Sequence, residues 1–302
     1  MFTPCGAPPP PPPPAKVCSL TSINLKNISG AVLMVPQEPT NHSKEHLRRN
    51  IKATIEKDIP NLSSKIIVSS NNIVHPILQD GPCCGVVALA MAAQMLKKEM
   101  AATQILEFSQ KKGLSLQGEL FSAYDMAKLA EEILDCTATV LDMKDSGSRK
   151  SLLGHIANNH PVLVPYDGDK NNGPCLKNGN KAHWAVLTGF LFSLERTLLP
   201  DDVGMVEDAE LSPLYEIQPE EAFTLQNFLV SSPEVFVYGM QGKSQNIGVW
   251  SLDKVLESNA NLREVDPNRE AEVEQYIIPQ EGIQMVLCNK VVILCNQNLN
   301  SS

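Results

Sequence analysis

The chain has 302 residues, 43% apolar and 20% charged, which is enough to bury a sizeable core and excludes both a disulfide-stapled miniature and a wholly disordered polymer. Lys and Arg number 25 against 34 Asp and Glu, a net charge of −9, and no basic cluster with interleaved aromatics is present, so nucleic acid is excluded as a partner class. The opening residues lack a signal-peptide core and no apolar run reaches the ~18–20 residues of a membrane span. A cytoplasmic protein is expected, with no membrane partner and with its eight cysteines reduced.

Residues 8–14 are seven consecutive prolines, which lack N–H donors and favour an extended polyproline II rod. Residues 1–30 are read as a disordered proline-rich tail and 31–302 as one domain. Between His42 and Ile59, Leu47, Ile51 and Ile55 recur every four positions, an amphipathic helix that Pro60 ends. Lys65–Ser70 reads as a strand. Val86–Met100 is apolar nearly all round in its first half, as in a helix driven into a core. Helices follow over Ala101–Lys112 and Ser122–Leu134, the latter with Ser122 as N-cap. From Thr137 the texture becomes β: Ala138–Leu141, a helix near Leu152–Asn158, then strands at Pro161–Pro165, Ala182–Phe192, Glu234–Tyr238, Ile247–Trp250, Gln275–Ile278 and Lys290–Leu294. Helices first and sheet later predict an α+β domain. Residues 197–242 hold nine acids and no Lys or Arg; removing them leaves 25 acids against 25 bases. The stretch to about residue 233 is read as a solvated surface insertion without a catalytic group.

Gln79-Asp80-Gly81-Pro82-Cys83-Cys84-Gly85 leads into the apolar helix. A cysteine at a buried helix N-terminus is favoured as thiolate, the nucleophilic form, while Gly81-Pro82 can turn the sulfur outward and Gly85 leaves room for a substrate backbone. Of six histidines, His183 opens a strongly apolar strand, Lys181–Leu187, 99 residues after Cys84. Thiolate, base and a group orienting the base are what acyl transfer needs. A satisfied core histidine and a filler cysteine are the bland alternatives. Cys175 lies near His183, but no C-x-x-C or H-E-x-x-H occurs, and no metal or cofactor is expected.

The order of Cys84 on a helix start and His183 on a strand resembles papain-like cysteine peptidases and the related bacterial leader-peptide processing peptidases. That likeness implies Gln79 as an oxyanion donor and Gln241, at the end of the following strand, as the group orienting His183, with Asp253 or an acid from 201–210 as alternatives. With Gly118–Ser122, Pro161–Asp167, Lys181–Val186 and Gln241–Ser244 added, residues 60–295 are similar to the actin maturation proteases. The resemblance implies a cytosolic cysteine aminopeptidase that removes acetyl-Met or acetyl-Cys from immature actin, whose N-terminus is acidic. It implies Cys84 rather than Cys83 as nucleophile, and profilin as a partner of the proline-rich head. A non-catalytic adapter for actin and profilin on a degenerate peptidase fold is the alternative.

Overall fold

The computed structural model describes residues 35–38, 40–198, 203–270 and 272–297; the proline-rich head, Asp201 and Asp202 lie outside them. Helix α1 (Asn41–Asp58) opens at Thr40, whose hydroxyl accepts the Ser43 N–H at 3.1 Å, and closes at Ile59 because the residue before a proline disfavours helical torsions. Ile51, Ile55 and Ile59 bury themselves against Ile67, Leu191 and Phe236. Strand β1 (Lys65–Asn71) leads to α2 (Cys84–Met95), in which every residue but Gln94 is buried. Helices α3 (Ala102–Lys111) and α4 (Ala123–Leu134) pack beside it. The Ser122 hydroxyl accepts the Asp125 N–H at 3.1 Å and caps α4 as expected.

Then come β2 (Cys136–Asp142), α5 (Ser148–Ala157), β3 (Val162–Gly168), β4 (Pro174–Cys175), β5 (Ala182–Glu195), β6 (Val206–Glu207) and β7 (Leu214–Glu216). The chain ends through α6 (Gln226–Ser231), β8 (Val235–Gln241), β9 (Gly248–Ser251), α7 (Leu252–Ala260), the single turns α8 (Pro267–Glu270) and α9 (Ile283–Val286), and β10 (Lys290–Asn296). Among the described residues ten strands form one sheet, β2-β10-β3-β5-β1-β7-β6, with β4 on β3 and the β8-β9 pair on β5. The pairings among them are antiparallel except β1 with β7. This is a mixed α/β arrangement with a mostly antiparallel sheet.

Alternation along the strands feeds two cores. Trp184 and Val186 face α2 and α4, while Ala185 and Leu187 join the side chains of α5, α6 and α7 on the other face. Strand β5 pairs with β3 through residues 182–187 and with β1 through 189–195, and a register shift separates the two runs. Gly189 is required there, since a Cβ would lie 2.1 Å from the Ser70 carbonyl oxygen.

Three expectations need correction. Helix α2 stops at Met95 rather than Met100, because Lys97 takes φ +57° and the Lys98 N–H turns back to the Ala93 carbonyl at 2.9 Å. Residues 275–278 are no strand: Val273–Gln275 is a 3-10 turn and the Ile277 N–H goes to the Glu119 carboxylate at 3.0 Å, not to a ladder. The acidic stretch is not simply a solvated loop, for β7 pairs with β1 and Leu214, Ile217, Ala222, Leu225 and Leu229 are buried. Three of its acids find bases elsewhere in the chain: Arg48 bonds Asp208 and Glu210, and Lys65 holds both Glu234 oxygens at 3.1 Å.

Replacing Ile55 by Ala should lower unfolding free energy by about 2–4 kcal/mol through lost burial and the cavity left behind. Glu45→Ala, on the exposed face of the same helix, should stay within about 0.5 kcal/mol. Urea titration followed by circular dichroism measures both.

Candidate active site

Cys84 begins α2 after a turn in which Gly81 has φ +77°, a torsion glycine adopts without strain. Cys83, beside it, is fully buried and its thiol donates to the Asp80 carbonyl at 3.0 Å. A Cβ on Gly118 would lie 2.4 Å from the Cys83 Cβ, so this side chain is wedged against the Gly118 turn, and burial pushes its thiol up to about 11. The two adjacent cysteines thus differ: one is packing, the other opens onto a cavity lined by Pro82, Leu120, Phe121, His183, Trp184 and Arg269. Gly85 does not face that space, contrary to the sequence reading. A Cβ there would meet Leu120 at 3.0 Å and Trp184 at 3.1 Å, and the glycine lets the helix start close against them.

His183 enters the cavity from the start of β5, with its ring centroid 6.4 Å from that of Tyr166. Its position is set on both sides in sequence. The Trp184 indole N–H donates to the Leu120 carbonyl at 2.8 Å, tying β5 to the 118–122 segment. Fully buried Asp167 accepts the backbone N–H groups of Lys177, Gly179 and Lys181 at 2.9–3.0 Å and shapes the turn just before the histidine. Glu119 plays a matching part across the cavity, accepting from the Ser115 hydroxyl and from the N–H groups of Leu116, Gln117 and Ile277. Arg269 lies over the rings of Phe121 and Tyr276, at 5.8 and 5.7 Å from their centroids.

The cavity holds only about 10 Å³, at most one water. Dryness decides the charge state. Desolvation pushes the Cys84 thiol up and holds His183 down at about 3, so the closed site contains a thiol and a neutral imidazole. Against desolvation of the sulfur stand the Trp184 backbone N–H, the cations Arg269 and Lys243, and the Gly85 N–H, all of which favour thiolate. Lys243, Arg269 and Lys181 act on His183 in the same direction as burial, opposing imidazolium.

The structure thus brings Cys84 and His183 to one cavity and leaves Gln79 and Gln241 outside its lining. The Gln79 backbone N–H bonds the Gly242 carbonyl at 2.7 Å, its side-chain amide donates to the Gly81 carbonyl at 2.7 Å, and its buried Oε1 has no hydrogen-bond partner among the described residues. Gln241 is opposite Ala185 on β8, hence on the same sheet face as His183, and its Oε1 accepts the Lys243 N–H. Asp253 is held by Arg149 at 2.6 Å and does not line the cavity. Glu119, Asp167 and Lys243 had no role in the sequence reading although they sit in the segments that carried the family resemblance. Arg269 sits in a polar stretch with no motif, and only its packing on Phe121, far away in sequence, and on Tyr276 reveals it.

A family model described as "Actin maturation protease-like, C-terminal domain" matches residues 74–191. The chain is 37% identical over 236 residues to an "Actin maturation protease" of Danio rerio, covering 74% of this chain and 73% of that protein. Proteins of the same name from Mus musculus and Homo sapiens are 38% and 34% identical over 72% and 74% of this chain. The match spans 61% of the mouse protein and 64% of the human one, less than two thirds of their lengths.

Because Lys243 and Arg269 favour the Cys84 thiolate, Lys243→Met and Arg269→Met should each move the Cys84 alkylation profile to higher pH. Iodoacetamide labelling from pH 6 to 10, read at the Cys84 peptide by mass spectrometry, follows it. Profiles identical to wild type in both variants would show that the cations do not reach the sulfur.

Proposed function

The chain belongs to the actin maturation protease family, and from that premise we propose that it is a cytoplasmic cysteine aminopeptidase removing the acetylated first residue, acetyl-Met or acetyl-Cys, from immature actin. The observation that carries this reading is the convergence of Cys84, at the N-terminus of a buried helix, and His183, at the start of a buried strand, on one dry cavity. The order of these two elements, with a mostly antiparallel sheet behind them, supports a papain-like fold.

The chemistry needs no group outside the chain. As the substrate enters and widens the cavity, the Cys84 thiol passes its proton to neutral His183 and the sulfur attacks the carbonyl of the acetylated residue. The Cys84 backbone N–H and the Gln79 amide, turned from Gly81, hold the oxyanion. The imidazolium protonates the departing amine, leaving an acyl-enzyme thioester. Water, losing its proton to His183, then releases the acetylated amino acid and restores the thiol. Gln241 orients His183 as a neutral amide. The four donors already bonded to Glu119 take up its carboxylate, so no free carboxylate there selects a terminal ammonium, in keeping with an acetylated end. Arg269, Lys243 and Lys181 near the reacting pair suit an acidic chain following the bond to be cut.

Cys84→Ala should abolish release of acetyl-Met or acetyl-Cys from an acetylated actin N-terminal peptide, followed by mass spectrometry, while Cys83→Ala keeps most of it. His183→Asn should lower turnover by roughly 10²–10⁴-fold. Equal losses at Cys83 and Cys84 would overturn the assignment of the nucleophile; an inert wild-type chain that still binds actin would leave the adapter reading.

We also propose that the seven-proline head binds profilin, since proline-rich sequences dock with little loss of chain entropy and a tether raises the local concentration of profilin-bound actin. Deleting residues 1–30 should slow processing of the actin–profilin complex and leave the peptide rate unchanged. Unchanged rates on both substrates would deprive the head of that role.

A further inference from the structure

On the face of the sheet that carries α5, His155, His160 and Cys295 bring one ligating atom each to within 4.8 Å of one another, all three residues half-buried. The fold places them for reasons independent of any ligand. His155 is in the last turn of α5, Asn159 takes φ +60°, and the His160 N–H returns to the His155 carbonyl at 3.0 Å, so the turn that ends the helix folds the second imidazole back beside the first. At the next residue the Leu294 N–H bonds the Pro161 carbonyl at 3.0 Å, which docks β10, and with it Cys295, against the same turn. The two Nδ1 atoms face each other at 2.9 Å.

From this cluster we infer a second site, unconnected with peptide hydrolysis, that binds a zinc-type divalent cation through His155, His160 and Cys295. The donor set decides the class of ion: two imidazoles and a thiolate suit a borderline-soft metal, and the cluster offers no carboxylate of the kind magnesium or calcium requires. The geometry is close to what is needed. A tetrahedral zinc with nitrogen bonds of ~2.0–2.1 Å and a sulfur bond of ~2.3 Å separates its ligand atoms by about 3.3–3.6 Å. The imidazoles must therefore part by less than about 0.5 Å and the sulfur move inward, well within side-chain rotation. Both histidines line an open cleft of about 520 Å³, from which a water supplies the fourth ligand. On binding, the Cys295 thiol gives up its proton to solvent, and each imidazole keeps its proton on the nitrogen turned away from the metal. The ion would pin the end of α5 to β10. No spacing motif announces the site, because its third ligand lies 135 residues after the second, and the sequence reading accordingly expected no metal.

Cobalt(II) is the probe, added to the full chain carrying Cys84→Ala so that the thiol of the Cys84–His183 cavity is silent. The site requires one cobalt per chain by native mass spectrometry, intense visible bands of a four-coordinate ion, a near-ultraviolet thiolate charge-transfer band, and displacement by one equivalent of zinc. Cys295→Ser should abolish the charge-transfer band. His160→Asn should weaken cobalt binding by at least the ~10–100-fold that even outer-shell losses cost. Each variant is compared with its own metal-free melting curve, and zinc should raise the midpoint of the parent but of neither variant. Should Cys295→Ser not fold, Cys295→Ala serves. No binding at micromolar cobalt, a charge-transfer band that survives Cys295→Ser or Cys295→Ala, or undiminished affinity in His160→Asn would overturn the proposal and leave a hydrogen-bonded histidine pair.

Discussion

Twelve consecutive residues of β5 are buried, and a strand without a polar face stays out of water only if both its edges and both its faces are covered. The sheet is built around that demand. Strand β8 covers one edge through residues 185–192, and because β3 and β1 share registers with it over 185–187 and 189–192, they must lie end to end along the opposite edge. The irregularity between Leu187 and Gly189 is where one edge partner gives way to the other. Helix α2 needs the same cover, since it too is buried nearly all round. Its N-terminus and the beginning of β5 come together at the end of the sheet, so Cys84 and His183 are placed by two elements that are buried nearly throughout. Side chains carried on such elements have little positional freedom, as the nucleophile and base proposed for this site would require.

Burial that fixes the pair also works against its chemistry. A dry cavity disfavours both thiolate and imidazolium, and the cations around it act unequally on the two, favouring the first and opposing the second. A resting thiol beside a neutral base is the outcome. A thiol is a far poorer nucleophile than a thiolate, so the resting pair resists indiscriminate alkylation and oxidation.

Much of this was legible before any coordinates. The four-residue period of Leu47, Ile51 and Ile55, the cap at Ser122 and the all-apolar start of α2 each rest on local physics, and their elements formed within a few residues of the expected bounds. Misreadings arose where a distant group intervened. Residues 276–278 look like a strand, but Glu119 captures the Ile277 N–H. The acids of 203–234 look unpaired in sequence because Arg48 and Lys65 belong to earlier elements. Gly85 next to a nucleophile suggests room for substrate, yet Leu120 and Trp184, 35 and 99 residues away in sequence, occupy its flank. Gln79 and Gln241 could be chosen only by resemblance, since an amide's role depends on where its two ends point.

Charge is distributed so that the two ends of the problem are separated. Excess acid gathers in the β6–β7 segment, partly neutralised by α1 through Arg48, while Lys181, Lys243 and Arg269 act on Cys84 or His183. Physiological salt screens exposed charges beyond roughly 8–10 Å, so the net charge of −9 has little hold on a distant chain and the charges near the site set the field an approaching group meets. Lys181, Lys243 and Arg269 are those charges at the Cys84–His183 cavity. A molecule that is acidic overall therefore presents positive charge where the cysteine and histidine meet.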